Sequence, residues 1–163
     1  MNFTAAVITV SDKGASGERQ DESGDALERL LKEAGAVSVA RVMVPDERDR
    51  IATALREYCG GNRVDLIITT GGTGPAPRDV TPEATLDVID RGAPGFAEAV
   101  RAESMKITPR AMLSRAVSGI SGSTLILNFP GSPKACIESF AVVRPALAHA
   151  LELLSSLGGE CAR

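Results

Sequence analysis

Short β-branched runs alternate with helically spaced apolar residues over the first 70 positions of the chain. Residues 5–10 and 64–69 are nearly continuous apolar runs, and residues 37–44 form another strand-like run between them. Ile51 and Leu55 share one face of the helical segment between the runs 37–44 and 64–69. Such alternation, with strands that are apolar on both sides, predicts a parallel sheet covered by helices on both faces. The predicted fold class is therefore α/β, a three-layer sandwich with a mostly parallel central sheet.

Helix boundary signals support this division of the chain. Gly35 follows an apolar series at helical spacing and predicts a helix end. Asp46 occupies an N-cap position, and Thr81-Pro82 carries the residue types of an N-cap and a first turn. Another helix is predicted after Pro94.

The second half of the chain predicts a hairpin followed by helix. In residues 114–129, two strand-like runs flank Ser121-Gly122-Ser123, which indicates a β-hairpin whose second arm, 124–127, belongs to the core. Residues 130–133 then turn the chain into a helical C-terminal region. Pro145 either kinks that helix or begins a second one.

Length and composition describe an ordinary globular domain. The chain has 163 residues, of which 44% are hydrophobic and 24% charged, so disorder is excluded and one domain over residues 1–163 is predicted. No apolar stretch approaches the roughly 20 residues of a membrane span, and no signal peptide is visible. The protein is expected to be cytoplasmic and to have no membrane partner.

Charge and residue usage exclude several other classes. A net charge of −3 and 3% aromatic residues disfavour nucleic-acid binding. Three cysteines without CxxC spacing, Cys59, Cys136 and Cys161, argue against a disulfide framework or a zinc site. Cys59 and Cys136 are expected to pack as small apolar groups. The single histidine, His149, excludes a histidine-dependent triad and is predicted to be a core or subunit-contact residue.

Three loops rich in glycine, serine, threonine or proline follow predicted strands, at residues 11–17, 70–81 and 128–134. The carboxyl ends of parallel strands are where such sheets bind ligands, and glycine amides with helix N-termini suit phosphate. Residues 131–135 do not supply a Walker A loop, and Pro77 breaks a dinucleotide-binding pattern that starts at Gly72. Taken alone, the GGTG sequence is equally explained as a tight turn.

The string TTGGTGPAPRDVTPEA, residues 69–84, closely resembles the signature of the molybdopterin-binding family. That family includes MogA/MoaB-type molybdopterin adenylyltransferases and the G domains of gephyrin and of plant cofactor-synthesis proteins. Five further segments are similar in order and spacing, and the likeness covers nearly the whole chain: ITVSD at 8–12, VPDE at 44–47, APGF at 93–96, MLSR at 112–115 and NFPGSP at 128–133.

The resemblance implies transfer of AMP from Mg-ATP to the terminal phosphate of molybdopterin, with release of pyrophosphate. It also implies Mg²⁺ as a cofactor, a homotrimer, and delivery of the product to a molybdenum insertase. A different interpretation is a non-catalytic paralogue that binds the pterin or acts as a scaffold. The aspartates of the signature favour the enzyme, because a pure binding protein has no need of a magnesium-coordinating pair.

Asp79 and Asp46 are implied as the catalytic and metal-binding pair. The candidate residues for binding the substrates are Ser11, Asp12, Gly71, Gly72, Thr73, Gly74, Arg78, Thr81, Ser114, Arg115, Pro130, Gly131 and Ser132.

Most of these residues also have a plain structural explanation. Asp46 is equally a helix N-cap, and Asp79 is also a turn residue. Arg78 either offsets phosphate charge or pairs with Asp79. Ser11 and Asp12 suit a local side-chain turn, and Arg115 suits a solvated strand edge. Ser132 is most simply a helix start, and Gly131 a turn.

Overall fold

The computed structural model describes residues 1–155 and contains strands and helices in the predicted alternation. In chain order the elements are β1 Phe3–Val10, α1 Asp12–Ala15, α2 Glu22–Glu33, β2 Ala36–Val44, α3 Arg48–Cys59, β3 Leu66–Thr70, α4 Thr81–Leu86, β4 Arg91–Gly92, α5 Pro94–Met105, a 3₁₀ helix Pro109–Leu113, β5 Ser118–Ser121, β6 Thr124–Phe129 and α6 Pro133–Leu154.

The strands form one six-stranded sheet in the order β2-β1-β3-β6-β5-β4. The pairs β1–β2, β1–β3 and β3–β6 are parallel, whereas β5 pairs antiparallel with both β6 and β4. The predicted mostly parallel sheet with a hairpin is thus confirmed. Thr70 of β3 pairs with Thr9 of β1 on one side and with Phe129 of β6 on the other. The carboxyl ends of these three strands therefore lie side by side.

Alternate residues of each central strand enter different cores on the two faces of the sheet. Ile68 belongs to the core that includes Leu27 of α2 and Phe140 of α6. Its neighbour Ile67 belongs to the core that includes Leu55 of α3. Because successive side chains of a strand point to opposite faces, a continuous apolar run requires a helical layer on each side. The three-layer arrangement follows from that requirement.

Two predicted helix starts are wrong by one residue. The N-cap of α3 is Glu47, not Asp46, and the carboxylate of Asp46 instead accepts a hydrogen bond from the amide of Asp12. The N-cap of α4 is Val80, and Thr81 is inside the first turn, where its hydroxyl donates to the carbonyl of Gly71. In both cases a contact with a distant loop replaces the local capping bond.

The C-terminal helix α6 is continuous over 22 residues with Pro145 inside it, so no second helix begins there. Phe140 and Val143 before the proline, and Leu147 after it, are all buried, and this packing offsets the lost backbone hydrogen bond. His149 is on the exposed side of α6, so of its two predicted positions the core is wrong, and the subunit contact stays a prediction.

The described cysteines are packed as predicted, but Cys136 is not merely apolar, because its thiol donates to the carbonyl of Pro130 at 3.1 Å. Cys136 is buried and Cys59 half-buried, and both are free thiols. Cys161 lies outside the described residues. No helix within residues 1–155 combines the length and apolar character needed to cross a bilayer. That residues 1–163 form a single domain stays a prediction.

Candidate functional site

The three predicted loops meet at Gly71. Its amide donates to the carbonyl of Phe129 at 3.2 Å, which links the end of β3 to the end of β6. A Cβ atom at Gly71 would lie 2.3 Å from the carbonyl oxygen of Val10 at the end of β1, and one at Gly131 would lie 3.5 Å from the Cα of Gly71. The backbones of these loops are therefore in close contact.

Gly72 brings the glycine loop (residues 70–74) against the start of α4. Its φ is +65°, and its carbonyl accepts the amide of Thr81 at 3.1 Å. A Cβ atom here would lie 2.3 Å from the hydroxyl oxygen of Thr81 and 3.3 Å from Oδ1 of Asp46. The absence of a side chain lets the loop approach both residues. Thr81 is buried, and its hydroxyl donates to the carbonyl of Gly71 at 2.9 Å, a bond that holds the loop against α4.

Asp12 and Asp46 form a reciprocal pair between the loops that follow β1 and β2. The amide of Asp12 donates to the carboxylate of Asp46, and the amide of Asp46 donates to the carboxylate of Asp12, both at 3.0 Å. Arg78 donates to both carboxylate oxygens of Asp12, at 2.7 and 2.9 Å. These hydrogen bonds, first among them those from Arg78, lower the pKa of Asp12. The suggested pairing of Arg78 with Asp79 is thus replaced by a pairing with Asp12.

Asp46 is the carboxyl group of the site whose charged form is disfavoured. Its pKa is raised, first by burial and then by the charges of Asp12 and Asp79, and the hydrogen bond from the Asp12 amide and the charge of Arg78 only partly offset this rise. Asp79 closes a turn, because its carboxylate accepts the amide of Ala76 at 3.0 Å. Three carboxylates and one guanidinium therefore leave an excess of negative charge around Asp46.

This acidic cluster, defined as Asp12, Asp46 and Asp79, fits a magnesium ion that also binds phosphate. Within residues 1–155 no three His, Cys, Asp or Glu side chains are arranged to hold a metal on their own. Mg²⁺ commonly takes one or two carboxylates and fills its other positions with water and phosphate oxygens. Asp46 and Asp79 supply hard oxygen donors of that kind, and the excess negative charge favours a cation.

Arg115 joins the loop before β5 to the glycine loop and to α4. Its guanidinium forms an ion pair with Glu83, and it donates to the carbonyl of Gly74 at 2.8 Å and to the carbonyl of Asp79. Its own amide donates to the carbonyl of Thr73 at 2.8 Å. Arg115 is thus a cross-link within the site rather than a solvated edge residue. Glu83, which this cross-link needs, carries no local sequence signal that predicts it.

Two cavities open on either side of the glycine loop and the 130–133 turn. The first has a volume of about 300 Å³ and is lined in part by Ser11, Asp21, Met43, Gly71, Gly131 and Ser132. The second has a volume of about 280 Å³, is more apolar, and is lined in part by Thr73, Gly74, Arg101, Ile107, Ser114 and Pro130.

The predicted binding residues are divided by this geometry. Four of them line the first cavity and four line the second. Gly72 lines neither cavity. The remaining candidates lie around the acidic cluster and the glycine loop and also line neither cavity: Asp12, Asp46, Arg78, Asp79, Thr81 and Arg115. The site therefore consists of two cavities and an acidic cluster that share one glycine loop.

Sequence reasoning missed Asn128 as the buried support of that loop. Its side-chain amide donates to the hydroxyls of Thr69 and Thr85, at 3.0 and 2.9 Å, and its Oδ1 accepts the amide of Val117. The bonds join β3, α4 and the hairpin beneath the glycine loop. A usable signal was present, because a buried Asn within the apolar run 124–129 requires polar partners.

The same reasoning missed Asp21, which lines the first cavity and caps α2. Its carboxylate accepts the hydroxyl of Thr9 at 2.9 Å and pairs with Arg41 at 2.6 Å. The capping bond from the amide of Gly24 was predictable from the sequence, but these two partners come from strands.

Replacing Asp46 with Asn is expected to raise the melting temperature of the metal-free protein at pH 7. The pKa of Asp46 is higher in the folded state than in the unfolded chain, so ionisation of its carboxyl opposes folding above the folded pKa. The gain should disappear near pH 3, about one unit below the ordinary aspartate pKa, because both states are then protonated. Thermal unfolding followed by circular dichroism at both pH values measures it.

Asp12→Asn is the matched control with the opposite sign. The pKa of Asp12 is lowered, so its ionisation favours folding above the unfolded pKa, and that contribution is lost as the pH falls through the folded pKa. This variant should therefore melt at a lower temperature at pH 7. Equal shifts of both variants would contradict the assigned charge balance.

Comparison with known proteins gives one consistent result. Residues 6–149 match the family model described as a probable molybdopterin binding domain. The chain is 41% identical over 150 residues to a molybdopterin adenylyltransferase of Helicobacter pylori strain J99, covering 91% of this chain and 85% of that protein. It is 43% identical over 142 residues to the molybdopterin adenylyltransferase of Escherichia coli K12, covering 86% and 73%.

A solved structure agrees at the level of the fold. The molybdopterin biosynthesis enzyme MoaB of Thermus thermophilus superimposes with a TM-score of 0.89 at 48% identity, covering 94% of this chain and 97% of that one. The family model spans most of the chain, and both curated relatives exceed 40% identity over most of their length. This chain belongs to the molybdopterin-binding domain family.

Proposed function

We propose that the protein transfers AMP from Mg-ATP to the terminal phosphate of molybdopterin, releasing pyrophosphate, in molybdenum cofactor biosynthesis. Relatives that match over most of their length are named for this activity. The observation that carries the proposal is the meeting of two cavities and an acidic cluster at one glycine loop. Two substrates that react end to end need adjoining sites and a means of neutralising phosphate charge.

The reaction needs alignment and charge neutralisation more than proton transfer. An oxygen of the molybdopterin phosphate attacks the α-phosphorus of ATP, a new P–O bond forms, and the bond to the β-phosphate oxygen breaks. The attacking phosphate is already ionised at neutral pH, so no general base is required. Consistent with this, His149, the single histidine, is exposed on α6 rather than in either cavity.

The residues of the chain divide these tasks. Glycine-loop amides other than that of Gly71, which is bonded to Phe129, and the amide of Lys134 at the start of α6 would donate to anionic groups. Asp46 and Asp79 would hold Mg²⁺, which supplies positive charge next to the phosphates. Arg78 fixes the Asp12 carboxylate beside them through its two hydrogen bonds. Preorganised groups of this kind stabilise charge that develops at phosphorus.

The decisive experiment is incubation of the purified protein with molybdopterin and Mg-ATP. We expect formation of adenylyl-molybdopterin and an equivalent amount of pyrophosphate, measured by chromatography with mass detection. Chelation of Mg²⁺ should abolish turnover while molybdopterin still binds. Binding without any adduct, with Mg²⁺ present, would instead identify a pterin-binding or scaffold paralogue.

We also propose that the protein is a cytoplasmic homotrimer that delivers its product to a molybdenum insertase. Large apolar side chains are exposed around the 3₁₀ helix, as expected for a subunit contact: Met105, Ile107, Met112 and Leu113. The number of subunits, the compartment and the delivery step rest on the family resemblance.

A further inference from the structure

The two carbonyl groups of the 130–131 turn are held by side chains from three different elements. The carbonyl of Pro130 accepts hydrogen bonds from the hydroxyl of Thr70 at 2.8 Å and from the thiol of Cys136 at 3.1 Å. The carbonyl of Gly131 accepts one from the hydroxyl of Ser23 at 2.7 Å. Thr70 ends β3, whereas Cys136 and Ser23 lie near the starts of α6 and α2, and all three residues are buried. We refer to Ser23, Thr70 and Cys136 as the carbonyl clamp.

By fixing the two carbonyl groups, the carbonyl clamp also fixes the directions of the N–H groups in the same peptides. In a trans peptide the C=O bond and the following N–H bond point in opposite directions. Since the carbonyl of Pro130 points to the buried Thr70 and Cys136, the N–H of Gly131 points away from them. Gly131 is exposed and lines the first cavity. The bond from Ser23 fixes the plane of the next peptide in the same way.

A flipped peptide between Pro130 and Gly131 would disfavour binding of a phosphate. If the 130–131 peptide were flipped, a carbonyl oxygen with partial negative charge would face outward in place of an amide. Within the core, Thr70 and Cys136 would then lose the carbonyl acceptor that they share and keep only their contact with each other at 3.3 Å. The buried donors therefore favour one of two peptide orientations, the one that leaves an N–H group for an anion. Burial also raises the pKa of Cys136, so its thiol keeps the proton that it donates.

We propose that Ser23, Thr70 and Cys136 are positioning residues for adenylyl transfer, which orient the backbone amides of Gly131 and Ser132 toward an anionic group of a substrate. The inference rests on the proposed function and deepens it. Ser23 and Thr70 also line the first cavity, but their hydroxyls donate to the carbonyls of the turn, and it is through the turn that the clamp would act.

Thr70→Val is the sharpest test, because valine keeps the shape of threonine and removes only the hydroxyl donor. Thr70→Ser is the rescue variant, since it restores that donor. Thr124→Val is the matched control. Thr124 is a buried threonine at the start of the interior strand β6, at the end of the strand far from the 130–131 turn, and its hydroxyl donates to the carbonyl of Val64 at 2.6 Å. Both valine variants thus lose one buried bond from a hydroxyl to a carbonyl, and Thr70→Val also loses the 3.3 Å contact with the sulfur of Cys136.

The probe is inorganic pyrophosphate, titrated into ¹⁵N-labelled protein while the amide signals of Gly131 and Ser132 are followed by NMR. In the wild type we expect both signals to shift with pyrophosphate concentration. Thr70→Val should bind about tenfold more weakly, as expected when one hydrogen bond to a charged group is weakened. Thr70→Ser and Thr124→Val should bind like the wild type.

The outcomes separate the clamp from the proposed function. Wild-type affinity in Thr70→Val, equal losses in both valine variants, or no response of the Gly131 amide would each overturn the clamp, whatever the enzyme assay shows. If the wild type makes no adenylyl-molybdopterin and the titration behaves as expected, the proposed function is wrong and the clamp stands.

Discussion

Asp79→Asn is expected to slow formation of adenylyl-molybdopterin by about 100-fold or more, the usual effect of removing one charge-stabilising group from a reaction centre. The amide oxygen of Asn can still accept the hydrogen bond from Ala76 that closes the turn. The variant therefore keeps the local structure and removes one of the two negative charges that would hold Mg²⁺. Initial rates at saturating molybdopterin and Mg-ATP measure the loss.

Asp87→Asn is the control for the change of charge. Asp87 caps the far end of α4, and its carboxylate pairs with Arg48 at 2.7 Å, outside the acidic cluster. This variant should retain nearly the wild-type rate. If Asp79→Asn also retains it with an unchanged melting temperature, Asp79 is a turn residue only and the proposed metal pair is wrong.

Much of the fold could be predicted because its main signals are local. The run 64–69 indicates a strand buried on both faces, and β3 is observed at Leu66–Thr70 with every residue buried. The apolar spacing that ends at Gly35 predicts α2, which runs over Glu22–Glu33, and Gly35 has the φ of +108° that favours glycine. Periodicity and helix stops depend on neighbours within a few positions.

The contacts that could not be predicted from the sequence join residues that are far apart along the chain. Asp46 looks like an N-cap because the capping signal is local, yet its partner Asp12 is 34 positions away. Arg78 stands beside Asp79 in the sequence, but the pairing it adopts, with Asp12, spans 66 positions. In each case the sheet brings two loops together, and the bond across the loops replaces the one expected from the neighbours.

The candidate site shows the same division between local and distant information. That loops at the carboxyl ends of strands gather at one edge follows from the parallel sheet alone. Their separation into two cavities depends on β6 pairing beside β3, which places the 130–133 turn next to the glycine loop. No periodicity in residues 124–129 specifies that neighbour. The position of β6 beside β3 is therefore not predictable from the sequence pattern.

Gly71→Ala is expected to lower the free energy of unfolding by about 2–5 kcal/mol, the sum of a left-handed backbone penalty and an overpacked contact. Gly71 has a φ of +99°, which L side chains rarely adopt. Its Cβ would also lie 2.3 Å from the carbonyl oxygen of Val10, a backbone atom that cannot move without moving β1. Urea unfolding followed by circular dichroism measures the change.

Gly122→Ala separates the two causes. Gly122 has a φ of +58°, but a Cβ there would meet nothing within 4 Å, so only the backbone penalty of about 1–2 kcal/mol is expected. The excess loss in Gly71→Ala is then the cost of separating the ends of β1 and β3. Equal losses would show that the loops do not approach as closely as the structure indicates. A larger loss at Gly71 would mean that this glycine is required by the convergence of three strand ends on one point, before any substrate is bound.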